Sequence, residues 1–197
     1  MKKTLAILLF TISISIQSYS QQTNPNDKDR FHLNGEFKND NYNGIKIYLY
    51  DDFDLKKIDS TIVTERKFLF SGLINEPSLY RVILDDRIGT NKFFLESKSL
   101  NLLIEPDFKN WSIRGNELNE EFLEVSNRLA GRFNFSDLRE PKKFAEALIN
   151  EFNQAKNPYV KLICLMQLSN KLSNSNQTLL LSLPETVRNG RLATYLK

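Results

Sequence analysis

Gly44-Ile45-Lys46-Ile47-Tyr48-Leu49-Tyr50 is the stretch that fixes the fold class. Ile45, Ile47 and Leu49 alternate with Lys46, Tyr48 and Tyr50. Successive side chains of a strand point to opposite faces, so this period of two describes a strand with one apolar side. The pattern repeats outward in both directions. Upstream, Phe31, Leu33 and Phe37 alternate with polar positions. Downstream, residues 58–63 are β-branched, residues 67–71 carry Phe68 and Phe70 on one face, and residues 79–84, 92–96, 100–104 and 111–114 complete the set. Turn residues punctuate the runs at Asn43-Gly44, Ser71-Gly72, Asp85-Asp86 and Ile88-Gly89. Short strands with such spacing and no helix between them predict an antiparallel β-sandwich or barrel-like domain and argue against a parallel α/β sheet.

After Gly115 the period changes. Leu118, Phe122, Val125 and Leu129 fall on one helix face, with Glu117, Glu120 and Glu121 where the helix dipole favours acids. Phe144, Leu148, Ile149 and Phe152 form a second stripe, with Pro141 as a first-turn residue. Asn157-Pro158 reads as a cap followed by a first-position proline, opening a third helix through Leu162, Ile163, Leu165 and Leu168. Residues 179–183 and 187–196 read as a last helical stretch broken at Pro184. The chain is therefore expected to be β-rich and α+β overall, with a sandwich over 31–115 and a small C-terminal helical region over 116–197.

The first 20 residues carry a different message. Lys2 and Lys3 precede an apolar run from Leu5 to Ile16, and Ser18-Tyr19-Ser20 places small residues where a signal peptidase reads. The run falls short of the roughly 20 apolar residues a membrane span needs. Residues 1–20 are thus expected to be a cleavable signal peptide, and residues 21–30, polar and containing Pro25, a disordered leader. The expected location is outside the cytoplasm, in a periplasm or beyond. Removing Lys2 and Lys3 with the signal lowers the formal net charge from +3 to +1. A near-neutral chain has no global electrostatic reason to seek nucleic acid or anionic lipid.

The inventory for chemistry is thin. Cys164 is the single cysteine and His32 the single histidine of the sequence. One thiol gives no internal disulfide and no Cys-x-x-Cys pair, and one His with one Cys cannot assemble the usual zinc sets. His32 alternates with Phe31 and Leu33 and should face away from the core. Cys164 lies in the apolar run Leu162-Ile163-Cys164-Leu165-Met166 and reads as a small core residue. Asn39-x-Asn41-x-Asn43-Gly44 has the spacing of a calcium loop, but Tyr50 occupies the twelfth position, where a bidentate glutamate belongs. A hairpin turn explains it better. Asp51, Asp52 and Asp54 are read as a solvated loop between strands. No phosphate-binding glycine loop and no nucleophile elbow are present, so no catalytic, cofactor-binding or metal-binding residue is assigned.

Several phrases in order carry a resemblance. They are Phe31-His32-Leu33-Asn34-Gly35, Gly44-Ile45-Lys46-Ile47-Tyr48-Leu49, Ile58-Asp59-Ser60-Thr61, Lys67-Phe68-Leu69-Phe70-Ser71-Gly72, Glu76-Pro77-Ser78-Leu79-Tyr80, Phe93-Phe94-Leu95-Glu96 and Trp111-Ser112-Ile113-Arg114-Gly115. This series resembles the uncharacterised N-terminal module that precedes a thioredoxin-like domain in TlpA-type and peroxiredoxin-like thiol–disulfide proteins of the gram-negative envelope. Asn157-Pro158-Tyr159-Val160 and Leu183-Pro184-Glu185 are similar to the spacer of those proteins. The redox Cys-x-x-Cys belongs to their thioredoxin-like part, expected to begin where this sequence stops at Lys197, so no catalytic residue carries over. The resemblance implies a non-enzymatic envelope module that binds or positions a partner, with a thioredoxin-like protein as the implied partner. A ligand-binding sandwich for sugars or peptides in nutrient uptake is the alternative. Val187, Leu192, Ala193 and Leu196 would have no following domain to pack against, so the last dozen or so residues are expected to be loosely ordered or a docking surface, with Leu192, Tyr195 and Leu196 as the docking residues.

Overall fold

The computed structural model describes residues 29–84, 88–133, 141–168 and 174–196. The expected signal peptide, the leader up to residue 28 and the Asp85-Asp86 turn lie outside them. Strands β1 (Arg30–Phe37), β2 (Lys46–Asp51), β3 (Lys56–Ile62), β4 (Lys67–Leu73), β5 (Ser78–Ile83), β6 (Phe93–Leu95), β7 (Ser99–Ile104) and β8 (Trp111–Arg114) build two four-stranded sheets. The first has the order β4-β1-β7-β8 and the second β3-β2-β5-β6. The sheets face each other without closing into a barrel. The alternation read from the sequence sets their inner faces: Phe31, Leu33 and Phe37 from β1 meet Ile47 and Leu49 from β2, with Phe70, Val82, Phe93, Leu100 and Ile104 around them. Burying each such side chain contributes about 1.5–3 kcal/mol, so this layer supplies most of the drive to fold the sandwich. His32 lies half-buried on the outer face of β1, as its alternation required.

Two expectations need correction. The pairing is not wholly antiparallel: β1 runs parallel to β7, from His32 beside Ser99 to Phe37 beside Ile104. The chain leaves β1, builds β4 and the whole of the second sheet and returns to the far side of β1, a crossover that places like strand directions together. Ser71-Gly72 is also not a turn but lies inside β4, where Ser71 pairs with His32 and Gly72 with Phe31. A neighbouring glycine is likewise a packing device. Gly35 pairs with Phe68, and a Cβ on Gly35 would fall 1.8 Å from the Phe68 ring. The ring occupies the space that a side chain would need.

The helices follow as α1 (Glu117–Ala130), α2 (Pro141–Gln154), α3 (Pro158–Leu168), α4 (Asn174–Leu181) and the single turn α5 (Glu185–Arg188), closed by a 3-10 turn over Leu192–Leu196. Leu118, Phe122, Val125 and Leu129 are all buried, as their spacing predicts. So are Phe144, Leu148 and Phe152, whereas Ile149 stays 37% exposed because it falls off that face of α2. The Asn157 Oδ1 accepts from the Tyr159 N–H at 2.9 Å, the expected cap of α3. Cys164 is buried in α3 among the helical core residues. No helix of the described residues is long and apolar enough to cross a membrane.

The helices are not a separate body. Leu79 of β5 and Phe94 of β6 point out of the sandwich and into the helical core, where Phe94 packs edge-on to Phe122 at 5.2 Å. Asn119, fully buried on α1, completes the joint. Its Oδ1 accepts from the Phe94 N–H at 2.7 Å and its Nδ2 donates to the Phe94 carbonyl at 2.8 Å. The side-chain amide thus pairs with the backbone of edge strand β6 as a neighbouring strand would, and blunts an otherwise open edge. Elsewhere Arg128 on α1 grips the buried Glu151 of α2, with Nη2 at 2.7 Å and Nε at 3.2 Å. Glu121 accepts from the Lys156 and Asn157 N–H groups, at 2.6 and 2.8 Å.

Replacing Asn119 by Ala strands a buried N–H and a buried carbonyl together, so urea denaturation should show a loss of about 2–4 kcal/mol. The Arg128–Glu151 pair should be asymmetric. Arg128→Ala leaves a carboxylate that is 5% exposed without its cation, whereas Glu151→Ala leaves a guanidinium that is 42% exposed and can hydrate. Arg128→Ala should therefore be the more destabilising of the two, by about 1 kcal/mol or more. Equal losses would show that water reaches Glu151.

Candidate functional site

The tail and the sandwich meet at one loop, Asp51-Asp52-Phe53-Asp54, at the end of β2. Asp51 ends the strand facing inward, and its Oδ1 accepts from the N–H groups of Phe53 and Asp54, at 2.9 and 3.0 Å. That turn chemistry leaves Oδ2 free for a cation. Arg191 supplies it: Nη2 lies 2.7 Å from Asp51 Oδ2 and 2.8 Å from Asp54 Oδ1, and Nη1 lies 3.4 Å from the Ser78 hydroxyl. The guanidinium also stacks over the Phe53 ring, 4.7 Å from its centroid. The Arg191 N–H donates to Glu76 Oε1 at 2.6 Å. Gly190 makes that approach possible, because a Cβ there would fall 2.3 Å from Glu76 Oε2.

These contacts overturn the reading of a solvated loop for Asp51 and Asp52, while Asp54 stays exposed as that reading expects. Asp51 and Asp52 side chains are each 5% exposed. Asp52 is held by Arg81 Nε at 2.7 Å and Lys92 Nζ at 2.5 Å. Side-chain cations thus neutralise both buried carboxylates. Among the described residues, no group of three His, Cys, Asp or Glu could hold a metal ion. Lys56 and Arg191, hydrogen-bonded to Asp54, hold its carboxyl below the ordinary 3.8. Against the lowering effect of its own burial, Asp54 and Asp51 push the Arg191 guanidinium further up than usual. Burial raises the Tyr80 phenol beside them, and the Asp51 charge adds to the effect.

The anchor orders the tail. Val187, Leu192 and Ala193 are buried in the helical core, so the expectation that they lack a packing surface is corrected. Leu192, proposed from the sequence as a docking residue, is 1% exposed and faces inward. Tyr195 and Leu196 differ from it. Leu196 is half-buried against the helical core. Tyr195 is 63% exposed, its ring meeting Phe53 edge-on at 5.5 Å. The two rings border a cleft of about 370 Å³ whose walls include Leu79, Phe122, Ile163 and Met166, with Asp52 and Lys92 at the rim. Its walls are mostly apolar, with Ser126, Gln167 and the charged pair Asp52 and Lys92 as the polar members. Such a cleft can hold an apolar side chain.

The sequence pointed to the tail but not to its anchor. Arg191 and Asp51 stand 140 positions apart, and no local pattern joins them. Glu76 and Ser78 were legible only as part of the phrase Glu76-Pro77-Ser78-Leu79-Tyr80, whose two polar members both touch Arg191.

Arg191→Ala should strand the Asp51 carboxylate and cost about 2–4 kcal/mol, with faster amide exchange across 185–196. Arg191→Lys should restore only part, because a single ammonium cannot span Asp51, Asp54 and Ser78 together. Asp54 adds a pH dependence. Its pKa is depressed in the folded state, so its contribution is present above 3.8 and is lost as pH falls through the lower folded value. Asp54→Asn should flatten that acid limb of the tail's exchange profile. Cys164 is a second probe. Burial pushes its thiol up to about 12, so native labelling at neutral pH should be slow and denaturant should release it. Fast native labelling would show that α3 opens.

Residues 31–122 match the family model described as a domain of unknown function (DUF4369), a span that runs from Phe31 in β1 through β8 into the first turns of α1. No curated protein matches the chain.

Proposed function

We propose that the protein is an exported, non-enzymatic envelope module that binds or positions a partner, with a thioredoxin-like thiol–disulfide protein as the partner class. The observation that carries the reading is the cleft beside the tail: an exposed Tyr195 set against Phe53 over an apolar floor. Aromatic side chains at the mouth of a desolvated pocket are the usual anchors of protein interfaces. Anchoring by Arg191 pre-organises Tyr195, which lowers the ordering cost of binding. The resemblance of residues 31–115 to the module preceding thioredoxin-like domains supports the partner class. The Lys2-to-Ser20 pattern supports export. Cys164 in the core and His32 on the far sheet support a role without catalysis.

A ligand-binding sandwich is the second reading, and one feature favours it. The outer face of the first sheet holds a groove of about 710 Å³ with Asn34, Asn101 and Arg114 among its lining. Pairing places these three in one row across β1, β7 and β8, a polar arrangement suited to a peptide or sugar.

Mature protein from the envelope should begin at or near Gln21 by intact mass; full-length protein retaining Met1 would count against export. Capture from envelope extract should recover a protein of thioredoxin fold, and Tyr195→Ala should weaken that capture about tenfold. Capture indifferent to Tyr195 but lost on Arg114→Ala would move the function to the groove on the first sheet.

A further inference from the structure

The hairpin from β7 to β8 carries the one tryptophan of the sequence to the edge of the first sheet. Its turn is fixed several times over. The Asp107 Oδ1 accepts from the Lys109 and Asn110 N–H groups, at 3.0 and 3.2 Å, and the Glu105 N–H donates to the Asn110 carbonyl at 2.8 Å. Phe108 takes φ 57°, a left-handed conformation that favours glycine. Its buried ring offsets the strain by packing against Phe37 and Tyr42, at 5.4 and 5.3 Å between centroids. Trp111 follows this turn directly, so its ring has a fixed place. The ring is half-buried, and the fully buried Phe93 of β6 backs it at 6.0 Å between centroids.

Three parts of the chain meet at that ring: the hairpin, α1 and the segment that leads into β6. Between them lies a hollow of about 430 Å³, with Trp111 and Leu123 on its apolar side and Asn91, Ser112 and Asn127 among its polar members. Of its charged members, Lys38 and Glu105 hold each other, and Lys109 is exposed. Among the described residues, the side chains of Asn91, Ser112 and Asn127 make no hydrogen bond. A carboxamide carries donors and an acceptor in one plane, and a hydroxyl can act as either. Leu103 and Ser112 also line the groove on the outer face of the first sheet, so the hollow adjoins it.

We propose that this hollow binds an uncharged oligosaccharide, with one pyranose ring stacked on Trp111. The site narrows the second reading, on which it rests, to sugar. A pyranose has an apolar C–H face, which an indole can cover, and a rim of hydroxyls that each ask for a donor and an acceptor. Asn91, Ser112 and Asn127 supply both kinds. A peptide strand is held by apolar pockets for its alternate side chains, whereas this hollow offers one flat ring among neutral polar groups. The side towards the groove leaves room for a chain rather than a single sugar. Pre-organisation of the ring by the hairpin lowers the ordering cost of binding.

Because Trp111 is the single tryptophan, its emission reports on the hollow alone. Cellohexaose or mannohexaose titrated into the intact protein should change that emission, with a midpoint below about 10 mM, and hexaglycine should not. Asn91→Ala combined with Asn127→Ala, both at exposed positions, should weaken binding about tenfold. Trp111→Phe should weaken it about threefold and Trp111→Ala about tenfold, read by calorimetry, with thermal melting to show that each variant stays folded. The Asn91/Asn127 variant keeps the test open if Trp111→Ala does not fold. Tyr195→Ala should bind as the unsubstituted protein does, which separates this site from the tail cleft. Unchanged affinity in the Asn91/Asn127 variant, binding of neither hexasaccharide, or binding of hexagalacturonate alone would each overturn the proposal. Sugar binding that survives the Asn91/Asn127 and Trp111→Phe changes but is lost on Arg114→Ala would overturn it too, while leaving the second reading in place.

Discussion

The second sheet has to satisfy two different environments on one face. Its inner side builds the sandwich core, while on its outer side Leu79 and Phe94 belong to the helical core. Those two residues cannot be left in water at an acceptable cost, so the helical region must fold back over them. The helices then have a fixed place, the tail is carried to the Asp51–Asp54 loop, and the rest of the face stays open. The tail cleft follows from that division.

Asn119 and Arg191 fix the two ends of this arrangement by different means. Asn119 acts in a dry interior, where two unmade hydrogen bonds would be expensive, and it sets the register of α1 against β6. Arg191 acts at a partly exposed seam, 28% exposed at its side chain, where solvent weakens each ion pair but two carboxylates, a hydroxyl and a ring act together. The first joint should be rigid. The second is the place where the tail can open first, since local opening draws on the weakest contacts. A surface that includes Tyr195 is therefore coupled to the Arg191 anchor.

Period and composition made much of the architecture legible. Alternation in 45–50 and its neighbours marked the strands, because the pleat enforces a period of two. The stripe from Leu118 to Leu129 marked α1, because a helix repeats every 3.6 residues. Cys164 was legible as core from its apolar neighbours. Ile149 was misread because an apolar residue next to a stripe need not belong to it. Ser71-Gly72 was misread because the same dipeptide that suits a turn also suits a strand that must pass beneath the Phe31 ring.

What the sequence determined by itself is the set of elements and their apolar faces, since these depend on residues a few positions apart. It could not determine that β1 pairs parallel with β7, because backbone hydrogen bonds carry no side-chain signature. Nor could it show that Asp51 and Asp52 are buried. Three acids in a row of four look like a solvated loop until Arg191, Arg81 and Lys92 arrive from distant parts of the chain to neutralise them. The same holds for the aromatic contacts. Tyr48 and Lys57 become neighbours only across a strand pair, and Phe53 and Tyr195 only when the tail closes on the loop. Local chemistry selects the elements, while contacts between residues far apart in sequence decide which charges are paired, which rings are exposed and where a ligand could bind.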